Sequence, residues 1–185
     1  MKKLILIRHG ETAYTLKRKY CGHENIALNA TGMEQAKCLR PKLKDIKIDT
    51  IYSSDLKRAF QTAKIAFPKR AILKKKGLRE INFGRFSGLT FEEADKLYPK
   101  FYGTWLNNPI KAKIPNGENF SDFAERIERC FNAISRQNSK KTVALFTHGG
   151  PIRIIILKIL QKGLDKFWDI EVGTGDINIM DFKNG

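Results

Sequence analysis

The chain has 185 residues, 42% of them apolar, and a formal charge of +16 from 35 lysines and arginines against 19 aspartates and glutamates. This size predicts one domain, residues 1–185, and the lack of any apolar run near the roughly 20 residues of a membrane span predicts a cytoplasmic protein. The charge allows nucleic acid, a membrane surface or an anionic small molecule as a partner, and three scattered cysteines argue against a disulfide framework and a zinc site.

The first predicted element is a strand over residues 4–7, which ends in Arg8, His9 and Gly10. An unbroken apolar run is typical of a strand buried on both faces of a parallel sheet, and ligands bind beyond the carboxyl ends of such strands. Arg8 and His9 are therefore candidate functional residues. An ordinary strand end in water fits this stretch equally well when it is taken alone.

Residues 15–23 predict a loop, and a helix begins after Asn29, which can cap it. We expect Pro41 to kink or end this helix, because proline removes a backbone hydrogen bond. A strand over 49–53 follows.

The next helix is predicted over 56–67, with Ser54 or Asp55 as its N-cap. Arg58 lies in its first turn, off the apolar face, where a bound anion would offset the conflict with the positive end of the helix dipole. Position alone nevertheless favours a solvent-exposed arginine.

Residues 71–75 predict a short edge strand, and the glycine-rich segment 77–88 predicts an ordered loop around one carboxylate, Glu80. Partial burial beside apolar neighbours would suit this carboxyl to exchange a proton near neutral pH. A salt bridge from Glu80 to Arg79 or Arg85 is the alternative, and the sequence does not separate the two.

A short helix is predicted over 91–98 and is ended by Pro99, and residues 101–118 predict an irregular lid over a pocket. From Asn119 the apolar spacing is that of an amphipathic core helix.

A second buried strand, residues 143–146, leads into His148 and Gly149 as the first strand leads into His9 and Gly10. Two of the three histidines thus follow buried strands, which favours a shared site over chance. A helix is predicted to begin at Pro151, and the free backbone N–H groups of a helix start bind anions. Phosphate is therefore the leading ligand.

The last predicted elements are a short helix over 164–168 and a half-exposed strand over 176–182. Asn184 and Gly185 form a hairpin-turn signal with no strand after it, so we expect a C-terminal strand to be missing.

Four motifs, in this order, resemble the signatures of the histidine phosphatase superfamily, which has a phosphoglycerate mutase-like fold. They are RHGET at 8–12, SSDLKRAFQTA at 53–63, LREINFG at 78–84 and THGG at 147–150. The resemblance covers nearly the whole chain. It implies an α/β fold, a three-layer α/β/α sandwich with a mostly parallel sheet, and a reaction through phosphohistidine that needs no metal or other cofactor.

The resemblance also implies a role for each site residue. His9 would be the nucleophile, with its tautomer held by a backbone carbonyl, and Glu80 would protonate the leaving oxygen and then activate water. His148, as a cation, would share the phosphate pocket. The substrate would contact Arg8, Arg58, Thr15, Gly22 and Gly149.

A small-molecule phosphate monoester is the expected partner, with no nucleic acid and no membrane, and a homodimer stays open. The segment between Glu80 and His148 lacks the longer basic insertion of the mutases, which favours a phosphatase. Residues 20–23, 114–118 and 167–168 most resemble the α-ribazole phosphatases of cobalamin biosynthesis. The aromatic wall for the base would be drawn from Phe83, Phe86, Phe101, Tyr102 and Trp105.

Three alternatives remain open. The chain could be a broad-specificity or sugar-phosphate phosphatase, a phosphoglycerate mutase-like enzyme, or a non-catalytic protein that binds phosphate groups or nucleic acid. The presence of all five expected catalytic residues argues against the non-catalytic protein.

Overall fold

The computed structural model describes residues 1–182, so the turn predicted at Asn184 and Gly185 lies outside the described residues. The strands of its sheet are β1 (Lys3–Arg8), β2 (Thr50–Ser53), β3 (Leu73–Lys74), β4 (Thr142–Thr147) and β5 (Ile177–Asp181). The sheet order is β3-β2-β4-β1-β5. Strands β1 to β4 are parallel to one another. Strand β5, at one edge of the sheet, runs antiparallel to β1.

Seven α-helices occur within residues 1–182. They are α1 (Ala13–Leu16), α2 (Ala30–Leu43), α3 (Lys57–Ala66), α4 (Phe91–Leu97), α5 (Pro99–Asn107), α6 (Phe120–Gln137) and α7 (Gly149–Ile159). Short 3-10 turns cover 76–78, 84–86, 109–111 and 164–169. None of the helices in this part of the chain is long and apolar enough to cross a membrane.

The side chains of β1 alternate between two apolar clusters. Leu4 and Leu6 belong to a cluster that includes side chains of α6 and α7, whereas Ile5 and Ile7 belong to one that includes side chains of α2 and α3. All four side chains are completely buried, as an unbroken apolar run requires. The expected three-layer α/β/α sandwich with a mostly parallel sheet is confirmed.

Pro41 does not end α2, because the helix continues to Leu43. Pro41 lies in the last turn and is exposed, as is Lys37, whose carbonyl would otherwise bind the missing N–H. Water can satisfy that carbonyl, so the cost of proline is small there.

The expected irregular lid over 101–118 is wrong in its first part. Pro99 occupies the first turn of α5, where its lack of an N–H costs nothing, and the helix continues to Asn107. Within the expected loop 15–23 the chain completes α1, which Thr12 caps. Neither Ser54 nor Asp55 caps α3, since the N-cap residue is Leu56.

Candidate active site

The two histidine-bearing strand ends meet because β1 and β4 are neighbours in register, with Arg8 opposite Thr147. The ring centroids of His9 and His148 lie 5.1 Å apart. Arg8, His9, Arg58 and Glu80 line one cavity of about 160 Å³ at this edge of the sheet. The structure thus brings together the residues that the sequence predicted for a shared site.

His9 has the tautomer that a nucleophile needs. Its Nδ1 lies 2.7 Å from the carbonyl oxygen of Gly10, so Nδ1 carries the proton and Nε2 keeps its lone pair. Burial, together with the nearby charges of Arg58 and Arg8, holds the pKa of His9 well below its ordinary value. The imidazole is therefore neutral at pH 7. A side chain on Gly10 would overlap the backbone of Gly32, so the turn after His9 packs directly against the start of α2.

Arg58 is buried, with 1% of its surface exposed, although its helical position favoured an exposed side chain. Its Nε lies 3.2 Å from both His9 Nε2 and His148 Nδ1. Its Nη1 donates to the carbonyl of Glu24 and its Nη2 to that of Gly22, each at 2.8 Å. The loop before α2 thus folds over the first turn of α3 and buries the guanidinium, which a helical periodicity cannot reveal.

Arg8 lines the cavity, and within residues 1–182 not all of its donors are used. Its Nη1 donates to the carbonyl of Val172 at 2.5 Å, whereas its buried Nε has no hydrogen-bond partner among residues 1–182. An unpaired buried donor costs about 1–3 kcal/mol. An anion bound in the cavity would remove that cost.

His148 is fully buried and contacts the cavity residues without lining the cavity. Its Nδ1 accepts the Arg58 Nε–H, so its Nε2 carries the proton and donates to Ser54 Oγ at 2.9 Å. Burial and the charge of Arg58, with smaller effects of His9 and Arg8, hold the pKa of His148 well below its usual range. The expected cation is therefore wrong, because the lowered pKa leaves the His148 ring neutral near pH 7.

Glu80 faces the cavity and has no salt bridge to Arg79 or Arg85 in residues 1–182. Its Oε1 accepts from the backbone N–H of Ile81 at 3.0 Å, and its Oε2 accepts from that of Gly150 at 3.1 Å. Arg79 instead donates to Asp55 at 2.6 and 2.7 Å. The start of α7 therefore gives one of its free N–H groups to the Glu80 carboxylate, where the sequence predicted phosphate.

The remaining predicted contacts are Thr15, Gly22 and Gly149. Thr15 and Gly22 line the cavity, but the Thr15 hydroxyl bonds the backbone of Thr12 within the cap of α1. Gly149 lies behind the wall, where an added Cβ would come 3.1 Å from Arg153 Nη1 and 3.7 Å from Arg8 Cζ. Its lack of a side chain lets the two arginines approach the helix start.

Two cations and four aromatic side chains of the wall were missed by the sequence analysis. They are Lys19, Arg153, Tyr20, Phe91, Phe167 and Trp168. Of the predicted wall, Phe83 and Trp105 line the cavity, whereas Phe86, Phe101 and Tyr102 pack in or against the core behind it. Arg153 could have been found, because it lies one helical turn after Gly149 and so on the same face of α7.

The guanidinium groups of Arg8 and Arg58 lie in the cavity wall, where they could bind a phosphate group. Among residues 1–182, no group of three or more histidine, cysteine, aspartate or glutamate side chains is arranged to hold a metal ion. Planar arginine donors match the oxygens of a phosphoryl group two at a time.

Comparison with known proteins identifies the same superfamily that the four sequence motifs resemble. The sequence model of the histidine phosphatase superfamily (branch 1) matches residues 4–185. Phosphoserine phosphatase 1 of Hydrogenobacter thermophilus is 33% identical, over 97% of this chain and 86% of that protein. Phosphoglycerate mutase-like protein 4 of Arabidopsis thaliana is 34% identical, over 95% of this chain and 86% of that protein. The crystal structure of the alpha-ribazole phosphatase from Shigella flexneri superposes with a TM-score of 0.89 at 28% identity, covering 98% of this chain and 91% of that one.

Proposed function

We propose a mechanism and a substrate class for this chain, which belongs to the histidine phosphatase superfamily and is a phosphoric monoester hydrolase. The observation that carries the proposal is the unprotonated Nε2 of His9, which faces a cavity that Arg8 and Arg58 also line. A neutral imidazole beside two permanent cations can attack a phosphoryl group whose charge the cations stabilise.

In the first step His9 Nε2 attacks phosphorus in line, and the bond from phosphorus to the ester oxygen breaks. Glu80, protonated on one carboxyl oxygen, gives that proton to the departing oxygen, so an alcohol leaves. In the second step water attacks the phosphorus of phosphohistidine, the bond from phosphorus to His9 Nε2 breaks, and the Glu80 carboxylate takes the proton of the water. Inorganic phosphate leaves and His9 returns to its starting state.

Arg58 is expected to change partners when substrate binds. In the structure its Nε–H is shared between His9 Nε2 and His148 Nδ1, at 3.2 Å each. A phosphoryl oxygen is a stronger acceptor for this N–H, because the resulting hydrogen bond joins two charged groups. Its arrival would free the His9 lone pair for attack and leave His148 to orient Arg58 or take up a proton beside the dianion.

For the substrate we propose a phosphate monoester whose alcohol carries a flat aromatic base, namely α-ribazole 5′-phosphate, a precursor in cobalamin biosynthesis. Tyr20, Phe83 and Phe91 lie on the cavity wall, with rings that pack on one another at 4.6 and 4.9 Å. The cavity is smaller than the roughly 300–1,000 Å³ that encloses a drug-sized ligand. The base would therefore extend to the rim, where Phe91 and Trp168 are 39% and 40% exposed.

Arg153 favours a second candidate, an ester whose alcohol carries a carboxylate, such as phosphoserine. The Arg153 Nε donates to the carbonyl of Ile170 at 2.8 Å, and its guanidinium lies 5.4 and 5.5 Å from the rings of Phe167 and Trp168. Its outer nitrogens, together with Lys19, could bind such a carboxylate. The relative that is named a phosphoserine phosphatase acts on a substrate of this kind.

The experiment compares kcat/KM for α-ribazole 5′-phosphate, phosphoserine and phenyl phosphate in the parent, in the two test variants Phe91→Ala and Arg153→Gln, and in a control variant. An aromatic contact contributes about 0.5–1.5 kcal/mol, so Phe91→Ala should cost α-ribazole 5′-phosphate about threefold to tenfold and phosphoserine little. Leu97→Ala, on the exposed end of the same helix, is the matched control. A parent that prefers phosphoserine, with a selective loss in Arg153→Gln, would overturn the first candidate in favour of the second.

A further inference from the structure

The guanidinium of Arg126, on α6, donates hydrogen bonds to the backbone of the loop that carries Glu80. Its Nε and Nη2 donate to the two carboxylate oxygens of Glu118, each at 2.7 Å. Its Nη1 donates to the carbonyls of Gly77 and Arg79 at 3.0 Å, and its Nη2 also donates to the carbonyl of Glu80 at 3.2 Å. All five N–H groups of the guanidinium are therefore used, three of them on the loop that leads into Glu80.

Glu118, the partner of Arg126, binds the backbone of the same loop on the other side of Glu80. Its Oε2 accepts from the backbone N–H of Asn82 at 3.3 Å, and its own N–H donates to the carbonyl of Asn82 at 2.9 Å. Only 21% of the Arg126 side chain and 17% of the Glu118 side chain are exposed. The pair is thus largely shielded from water. In such surroundings a bidentate arginine–carboxylate contact keeps its geometry well.

His23 donates a second hydrogen bond to the Glu80 carbonyl. Its Nε2 lies 3.0 Å from the Glu80 carbonyl oxygen, and since a carbonyl only accepts, this nitrogen carries the proton. The main chain of Glu80 is therefore fixed by two side chains, neither of which lines the cavity.

We propose that Arg126 is the positioning residue for the proton donor: by fixing the Glu80 backbone it fixes the carboxyl beside His9. This inference rests on the proposed function, in which Glu80 protonates the leaving oxygen. Among residues 1–182 the Glu80 side chain itself accepts hydrogen bonds only from the N–H groups of Ile81 and Gly150, so a shift of its backbone moves the carboxyl directly. A displacement of about 1 Å can cost a catalytic group about 10²-fold in rate.

The test uses leaving groups of different quality. An alkyl phosphate such as glycerol phosphate needs the proton, whereas 4-nitrophenyl phosphate has a leaving oxygen that departs unaided. For Arg126→Met we expect kcat/KM for the alkyl ester to fall about tenfold to 10²-fold and that for the nitrophenyl ester to change less than threefold. The inhibition constant of inorganic phosphate should not change, because Arg8 and Arg58 keep their contacts.

Arg126→Lys keeps the charge beside Glu118 but cannot supply five planar donors. It should recover most of the thermal stability lost in Arg126→Met and little of the alkyl ester activity. If the methionine variant does not fold, the two esters are compared in Arg126→Lys instead. Arg129→Met is the matched control, since Arg129 lies on the same helix, is 71% exposed and pairs only with Glu125 among residues 1–182. An equal loss on both esters, or weaker phosphate inhibition, would show a merely structural role for Arg126 and overturn the inference.

Glu80→Gln separates this inference from the proposed function. If Glu80→Gln does not lower alkyl ester hydrolysis selectively, the role of Glu80 fails and the positioning role fails with it. If Glu80→Gln is selective by about 10²-fold or more but Arg126→Met and Arg126→Lys are not, only the positioning role fails. In the double variant Glu80→Gln/Arg126→Met we expect no further selective loss, because the proton that Arg126 serves to place is already absent.

Discussion

Replacement of Gly150 by alanine should damage catalysis more than stability. A Cβ at this position would overlap Glu80 Oε1 and would come 2.9 Å from the ring of Phe123 and 3.2 Å from Glu80 Cδ. The carboxyl is the free end of a flexible side chain and can move away, whereas the buried Phe123 ring can move little. The expected result is a displaced Glu80 carboxyl that has lost its Gly150 N–H.

The expected magnitudes follow from these contacts. Overpacking costs about 1–3 kcal/mol, and since the carboxyl can move we expect about 1–2 kcal/mol here. For a chain of this size that lowers Tm by about 2–8 °C. Hydrolysis of an alkyl phosphate should fall about 10²-fold through loss of a placed proton donor, with 4-nitrophenyl phosphate much less affected.

The assay measures Tm by scanning calorimetry and kcat/KM on both esters. Gly103→Ala is the matched control, because a Cβ there meets no atom within 4 Å and replacing a glycine inside α5 should stabilise by about 0.5–1 kcal/mol. Unchanged alkyl ester hydrolysis in Gly150→Ala would refute the placement of Glu80 against the start of α7.

Three further predictions concern the nucleophile, the charge and the pH dependence. His9→Ala should abolish turnover and the acid-labile, alkali-stable phosphate label that the parent enzyme retains after an alkaline denaturing quench; remaining activity would exclude His9 as the nucleophile. Activity should survive EDTA, because Arg8 and Arg58 supply the positive charge; loss on chelation with recovery in magnesium would contradict this. The pKa values of His9 and His148 are lowered on folding, so the unfolded chain binds more protons below its histidine pKa of about 6.5. Thermal stability should therefore fall as pH falls from 7.5 to 5.5, and a constant Tm over this range would count against the buried neutral pair.

The two strand ends could be predicted because burial on both faces imposes an unbroken apolar run, which residues 4–7 and 143–146 show directly. The glycines after His9 and His148 marked where each run stops. Their adjacency in the sheet could not be derived from the runs themselves, since strand order depends on packing between segments far apart in the chain. The repeated His-Gly ending and the resemblance to a known family supplied that information.

The surroundings of the predicted residues were harder to foresee. Arg58 sits on the polar side of a helix by its spacing, yet the carbonyls of Gly22 and Glu24 bury it from a different segment. Glu80 was expected to be either partly desolvated or paired with an arginine, but two backbone N–H groups bind it instead. Contacts made by main-chain atoms leave no trace in side-chain patterns, which is why these partners escaped prediction.

The position of β1 between β4 and β5 has a consequence for how the protein is made. The strand pairs residue 4 with residue 143 on one side and with residue 180 on the other. At about 5–20 residues per second, a ribosome needs roughly 10–40 s to finish the chain, and for most of that time the first strand has no neighbour. The nascent protein must therefore remain without activity, with its apolar N-terminal segment exposed to chaperones or to aggregation, until almost the last strand has been synthesised.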